Sequence, residues 1–268
     1  MPKSTKTFSS PMAIETTLAS LPGATNRRGL PARDSIVSMT TSASGGFTIL
    51  HTNEVDGYEE AAKGPTFMAA AKAKLPTGDA FGGTARKAAK LSISAAKIKS
   101  YKDVKTLIAS LVPDADMIAH KPKIGTGATS GRVKEEERNI HVTAFMYAAS
   151  REDDNDFHLI IGRNPTATPE MYMTMELSGL PAKTEPSFMQ LKATRDAFKK
   201  FFKDIPGAKL PGLGYDFYHP PVPVEIDGSL FFDMTHAKGQ HPGPPSLKSR
   251  MPVIWEVHPI TNIVLKKP

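Results

Sequence analysis

An amphipathic stretch, Pro186–Lys203, stands between three β-type runs and two more, and this order restricts the fold more than any other feature of the chain. Its apolar side carries Phe188, Leu191, Phe198, Phe201 and Phe202, while Lys192, Lys199, Lys200 and Lys203 fall largely elsewhere, the spacing of a helix with one buried face. Pro206-Gly207 stops it. Before it come His141–Ala149, Asp156–Arg163 and Met171–Leu177, the first two joined by the polar turn Glu152–Asp156. After it come Val222–Ile226 and Ser229–Asp233, then Trp255–His258 and Ile260–Leu265 with Pro259 as a kink or edge position. Asp227-Gly228 reads as a tight turn or as the bend of one long strand. Strand, strand, strand, helix, strand, strand is the order of an OB-fold, so we expect an α+β chain whose residues 131–268 form an OB-like Greek-key β-barrel (β-β-β-α-β-β); other small barrels share this order.

The N-terminal part reads differently. Residues 1–35 are rich in Ser, Thr, Pro and basic residues without a sustained period, which predicts a disordered basic tail with a short helix at Met12–Leu21. Residues 36–130 read as an α-rich region with a small hairpin built from Ser35–Thr41 and Gly46–Thr52. From Tyr58 to Lys99 the Ala/Lys composition predicts short helices, with basic residues in Thr84–Lys90 and Ala95–Lys99. Ser100 and Asp103 mark a helix start, and Val104, Leu107, Ile108 and Leu111 follow at helical spacing before Pro113. Lys121–Arg132, with Gly125, Gly127 and Gly131, reads as a linker or exposed loop; it lacks the rest of a phosphate-loop signature.

At 268 residues and 40% hydrophobic content the chain can bury a sizeable core. No run approaches the ~18 apolar residues that span a bilayer. Glu15 and Ser20 break Met12–Leu21, so a secretory leader is not expected and a cytoplasmic location is. With no cysteine, disulfides and thiolate chemistry are excluded. Residues 1–130 hold 17 of the 34 Lys and Arg and 10 of the 27 Asp and Glu, so they carry the whole net charge of +7 and residues 131–268 are neutral. A basic segment joined to a neutral domain fits contact with nucleic acid, and also a merely solvated lysine-rich surface.

The candidate chemistry starts from Glu152-Asp153-Asp154-Asn155-Asp156-Phe157-His158, an acid cluster running into the apolar strand Leu159-Ile160-Ile161. Strand alternation puts Phe157, Leu159 and Ile161, then Met171, Met173, Met175 and Leu177, then Trp255 and Val257 toward a core. Asp156 and His158, then Tyr172, Thr174, Glu176 and Ser178, then Glu256 and His258 share the opposite, outer face. In an OB architecture that face binds ligands, flanked here by Glu152–Asn155 and by the long loop Met234–Ile254, which holds His236, Gly239 and His241.

Three function classes fit. In a nucleic-acid-binding module the face candidates Asp156, His158, Tyr172, Thr174, Glu176, Glu256 and His258 would meet the ligand, with Tyr147, Phe145 and Tyr172 as stacking groups. In a metal-dependent phosphoesterase or nuclease, Asp156, His158, Glu176, Asp233, His236, Glu256 and His258 would hold a divalent ion, Zn, Mn or Fe. A protein-interaction module is the third. Ser178 and Ser229 lie near histidines but outside Gly-x-Ser-x-Gly, which speaks against a serine nucleophile.

Arg132-Val133-Lys134-Glu135-Glu136-Glu137-Arg138-Asn139, Asp154-Asn155-Asp156-Phe157-His158, Glu176-Leu177-Ser178-Gly179-Leu180-Pro181, Gly228-Ser229-Leu230-Phe231-Phe232-Asp233-Met234-Thr235-His236 and Trp255-Glu256-Val257-His258-Pro259 follow one another in the chain. Over about residues 130–265 this resembles a family of uncharacterised bacterial proteins with a compact C-terminal domain. The resemblance implies one folded unit there and no particular activity.

Overall fold

The computed structural model describes residues 6–8, 10–19, 28–41, 48–56, 77–238 and 241–267. The fold is mixed α+β. Its strands are β1 (Lys6–Phe8), β2 (Ile36–Thr41), β3 (Thr48–Thr52), β4 (Ile98–Tyr101), β5 (Asn139–Arg151), β6 (Phe157–Gly162), β7 (Tyr172–Leu177), β8 (Asp216–Phe232) and β9 (Trp255–Leu265). Helices are α1 (Pro11–Ala19), α2 (Lys87–Lys90), α3 (Val104–Ile108), α4 (Asp114–Ile118) and α5 (Phe188–Lys203). One large sheet takes the order β1-β2-β3-β8-β9-β7-β6-β5-β4, and β8 also pairs with β5. The pairings β5–β6, β6–β7, β9–β8 and β8–β5 are antiparallel and β7–β9 is parallel, so hydrogen bonding returns to the strand it started from.

Long strands make this pairing work. The N-terminal part of β5 meets β4 in parallel and its C-terminal part meets β6. Likewise Asp216–His219 of β8 pairs with β3, and Val224–Phe232 pairs with β9. Asp227-Gly228 is therefore the bend of one long strand rather than a turn. The register of β8 against β9 shifts on both sides of Gly228, and a Cβ there would sit 2.7 Å from the Pro259 carbonyl oxygen and against the Val257 side chain. Asp227 holds the bend from both flanks, through His141 Nδ1 at 2.6 Å and Asn262 Nδ2 at 3.1 Å.

Helix α5 lays its aromatic face into the main core. Phe198 packs 5.0 Å from both Phe157 and Phe202, and the same cluster takes in Met173, Met175, Leu177, Trp255 and Val257, the inward set that alternation predicts apart from Met171. Arg195 on the buried side of the helix stacks 4.4 Å from the Phe157 ring and donates to the carbonyls of Leu177, Ser178 and Asn155. This guanidinium ties the helix to the turn 152–156.

A second core lies on the opposite side of the strands. Ile160, Tyr172, Tyr147 and Ala148 are covered there by Ile14, Leu18, Leu30, Met39 and Leu50, and by Leu247 and Met251 of the long loop.

Several elements before residue 130 differ from the sequence expectation. β2 and β3 do pair antiparallel, and their connecting residues 42–47 lie outside the described ones. Most of the Ala/Lys stretch, residues 57–76, also lies outside them. The short helix expected at Met12–Leu21 is α1 and buries Ile14 and Leu18, while β1, in the stretch expected to be disordered, pairs with β2. Ile98–Tyr101 is a strand rather than part of a basic helical region, because β5 offers it an open edge. Asp103 caps α3 with Thr106 as its capping-box partner, and the helix stops at Ile108 instead of running to Pro113. Lys121–Arg132 is irregular, as expected, but is anchored: Thr126 and Ala128 accept backbone hydrogen bonds from Arg86 and Ala88.

Gly228→Ala is expected to destabilise the protein by about 1–3 kcal/mol, the usual range for overpacking a closed site. Urea denaturation measures this, and an unchanged midpoint would show that the bend can open at no cost.

Candidate metal centre

β6, β7 and β9 bring the acids and imidazoles together. His158 stands opposite Glu176 in the β6–β7 register, and Met175 stands opposite Val257, which sets Glu176 beside Glu256 and His258. His158 Nε2 lies 2.8 Å from Glu176 Oε1, and His258 Nδ1 lies 2.8 Å from Glu176 Oε2. His258 Nε2 is 3.5 Å from Asp156 Oδ2, and its Nδ1 is 4.0 Å from Glu256 Oε2. Ligand-type atoms of Asp156, Glu176 and His258 all fall within 4.8 Å of one another, as do those of Asp233, His236 and Glu256. The shared face that strand alternation assigns is thus observed, and Asp233 and His236 reach it from the end of β8.

Its exposure is not as expected. Asp156, Glu176, Glu256 and His258 are all at most 1% exposed, so the face is an interior surface and not an open groove. The cover is the segment 79–94. Phe81 donates to the Leu180 carbonyl, Leu180 to that of Asp79 and Gly82 to that of Asp154, while Ser178 Oγ donates to the Lys90 carbonyl. Gly83 lets this segment lie close, since a Cβ there would come within 2.9 Å of the Asp154 Cβ. From α2 the Lys90 ammonium then reaches to 3.4 Å of Asp154 Oδ2 and 3.8 Å of Asp156 Oδ2. Lys90 belongs to the site, and only the basic run Thr84–Lys90 in the sequence hinted at it.

Other candidates are placed elsewhere. Tyr172 lies in the second core, edge-on to Tyr147 at 4.9 Å, with its hydroxyl donating to Glu170. Phe145 packs against the same cluster, so the three rings expected to stack bases are packed by protein. Thr174 is buried beside the acids, and its hydroxyl has no hydrogen-bond partner among the described residues. Ser229 bonds Asn139, and neither it nor Ser178 bonds a histidine.

The strands carrying the site are held by three arginines, Arg86 and Arg195 buried and Arg132 partly buried. Arg132 donates to the carbonyls of His258, at 2.7 Å, and Leu230, and burial pulls its guanidinium down to about 10. Arg86 pairs with Glu136 through two bonds of 2.6 and 2.8 Å and lies 4.7 Å over the Phe231 ring, which in turn packs 5.4 Å from the His258 ring. Arg195 holds the turn: its bond to the Asn155 carbonyl, at 2.8 Å, supports a left-handed residue with φ 79 immediately before Asp156.

Charge in this interior is unevenly matched. Burial, and then the neighbouring Asp154 carboxylate, push Asp156 well above the ordinary carboxylate range. Burial, then Glu176 and Asp233, do the same to Glu256. Burial would also raise Glu176, but His158, His258 and Lys90 more than reverse this and hold it well below its usual value. Burial would lower His158, yet Glu176 and Glu152 raise it well above, so it is the imidazolium partner of Glu176. Burial pulls His258 down, although Glu176 draws it the other way. Among the described residues, both oxygens of Glu256 and one of Asp156 accept no hydrogen bond, and the close approach of His258 to Glu176 lacks hydrogen-bond alignment. Carboxylate oxygens with neutral imidazole are a ligand set for a first-row divalent ion.

No known family model, curated protein or solved structure matches this chain.

For a carboxyl with a raised folded-state pKa, the stabilising contribution is full below its unfolded pKa and is lost as pH rises through the folded value. Chelator-treated protein is therefore expected to lose stability from about pH 5 upward, given an ordinary carboxylate pKa near 4. Glu256→Gln, which keeps the shape of the protonated acid, is expected to be more stable than wild type at pH 8 and flatter with pH in urea denaturation. Lys90→Met should act in the opposite direction, costing about 3 kcal/mol by leaving buried acids uncompensated. A Glu256→Gln protein tracking wild type at every pH would refute the charge assignment.

Proposed function

We propose that this chain is a metal-binding protein in which a buried carboxylate and imidazole centre sits on an OB-like Greek-key barrel formed by β5, β6, β7, β9 and β8. The ring of strand pairings and the position of α5 between the third and fourth of these strands in the chain support the barrel. One observation carries the metal: the Glu256 carboxylate is wholly buried and neither of its oxygens accepts a hydrogen bond among the described residues. Leaving such a group bare costs folding free energy on the order of 1–3 kcal/mol or more, and a divalent cation removes that cost. Asp156, Glu176 and His258 supply further donors. Zn, Mn and Fe all accept this mixed set.

Contact with nucleic acid through the same face has no stacking surface to use, because Tyr147, Tyr172 and the acids are covered. A hydrolytic role is the second reading. His158 and Asp154 keep 12% and 19% of their side chains exposed at the edge of the site, which is the side from which a phosphoester and water would approach an ion.

Elemental mass spectrometry on the full chain, purified without an affinity tag, tests the reading. The expected result is a stoichiometric transition metal that is lost in Glu176→Gln and His258→Ala proteins, together with a higher melting temperature in the loaded protein. Wild type that takes up no ion after incubation with Zn2+, Mn2+ or Fe2+ would overturn it.

A further inference from the structure

Asp156, Glu176 and His258 form one three-donor group, and Asp233, His236 and Glu256 form another. The two meet at Glu256. β9 puts Glu256 two residues before His258 on the same face, so its Oε2 lies 4.0 Å from His258 Nδ1, an atom of the first group. β8 pairs Phe231 with Glu256 and then leads into Asp233, the N-cap residue of the one-turn segment Met234–His236, which brings a ligand-type atom of His236 within 4.8 Å of the same carboxylate. Glu256 is fully buried, and among the described residues neither of its oxygens has a hydrogen-bond partner.

A carboxylate that binds an ion through one oxygen normally accepts a hydrogen bond from the protein on the other, and two bare oxygens are left either to chelate one ion or to reach one ion each. Two bare oxygens between two donor groups match one oxygen for each of two ions. Asp156, Glu176, Glu256 and Asp233 are four carboxylates, and among the described residues the protein cations that meet them are two, His158 at 2.8 Å from Glu176 and Lys90 at 3.8 Å from Asp156, so acids outnumber cations and divalent ions would offset the excess.

We propose that the site is binuclear: two first-row divalent cations, one at Asp156, Glu176 and His258 and one at Asp233 and His236, bridged by Glu256. The inference rests on the metal-binding reading and adds a second ion to it. Two-ion centres of this kind hold their metals about 3.5–4 Å apart and suit in-line displacement at phosphoesters.

The test is metal stoichiometry and electron paramagnetic resonance on the full chain loaded with Mn2+. Two equivalents per chain are expected, with a spectrum broadened by coupling between neighbouring manganese ions. His236→Ala, in which the first group is untouched, is expected to bind one equivalent and give an uncoupled spectrum; Asp233→Asn should do the same, with circular dichroism confirming the fold of both. Wild type that binds one equivalent, uncoupled and unaffected by His236→Ala, would overturn the binuclear site and leave the single centre standing. Wild type that binds none would remove both.

Discussion

Folding this chain requires several carboxylates and imidazoles to leave water together. Asp156, from the turn before β6, Glu176, from β7, and Glu256 and His258, from β9, end up in a space that solvent does not enter. Such groups are tolerated inside a protein only when cations or hydrogen-bond donors meet them. The His158 imidazolium and the Lys90 ammonium answer part of this demand, while Glu256 is answered by no described protein group. The centre is thus both the least comfortable part of the fold and its most informative part.

The surrounding structure keeps that centre in shape. Arg195, Arg132 and Arg86 are all largely buried, and each spends its guanidinium on backbone carbonyls or an acid near the site. Arg195 fixes the turn leading into Asp156, Arg132 fixes the backbone of His258, and Arg86 stacks on the ring beside it. Side chains held this way lose little further freedom when a ligand arrives, which is how a protein prepares a coordination sphere. Helix α5 contributes from beneath, since its aromatic face fills the core under the same strands.

Much of the C-terminal part was legible because strand alternation has a period of two. Phe157, Leu159 and Ile161 against Asp156 and His158, and Trp255 and Val257 against Glu256 and His258, sort correctly onto two faces from residue type alone. The helix was equally plain from its phenylalanines. Alternation is silent, however, on what packs against a face. An OB-like expectation left the polar face open, but segment 79–94 and the loop carrying Leu247 and Met251 close over it. Lys90 and Arg132 escaped notice for the same reason: in the sequence they are basic residues in an Ala/Lys stretch and a glycine-rich loop, with no period to mark them as buried.

The sequence by itself determined which residues share a face, where α5 and the strands β5 to β9 lie, and that imidazole and carboxylate meet. Local periodicity encodes all of these. Tertiary structure alone decided that the face is interior, that Lys90 enters it, that β4 and the N-terminal hairpin extend the sheet, and that Glu256 stands between two donor groups. Such contacts join residues up to 192 positions apart, as in the bond from Ser246 to Glu54. Which distant segment covers which face depends on the volume and hydrogen bonds both can satisfy at once, and no window along the chain contains both partners.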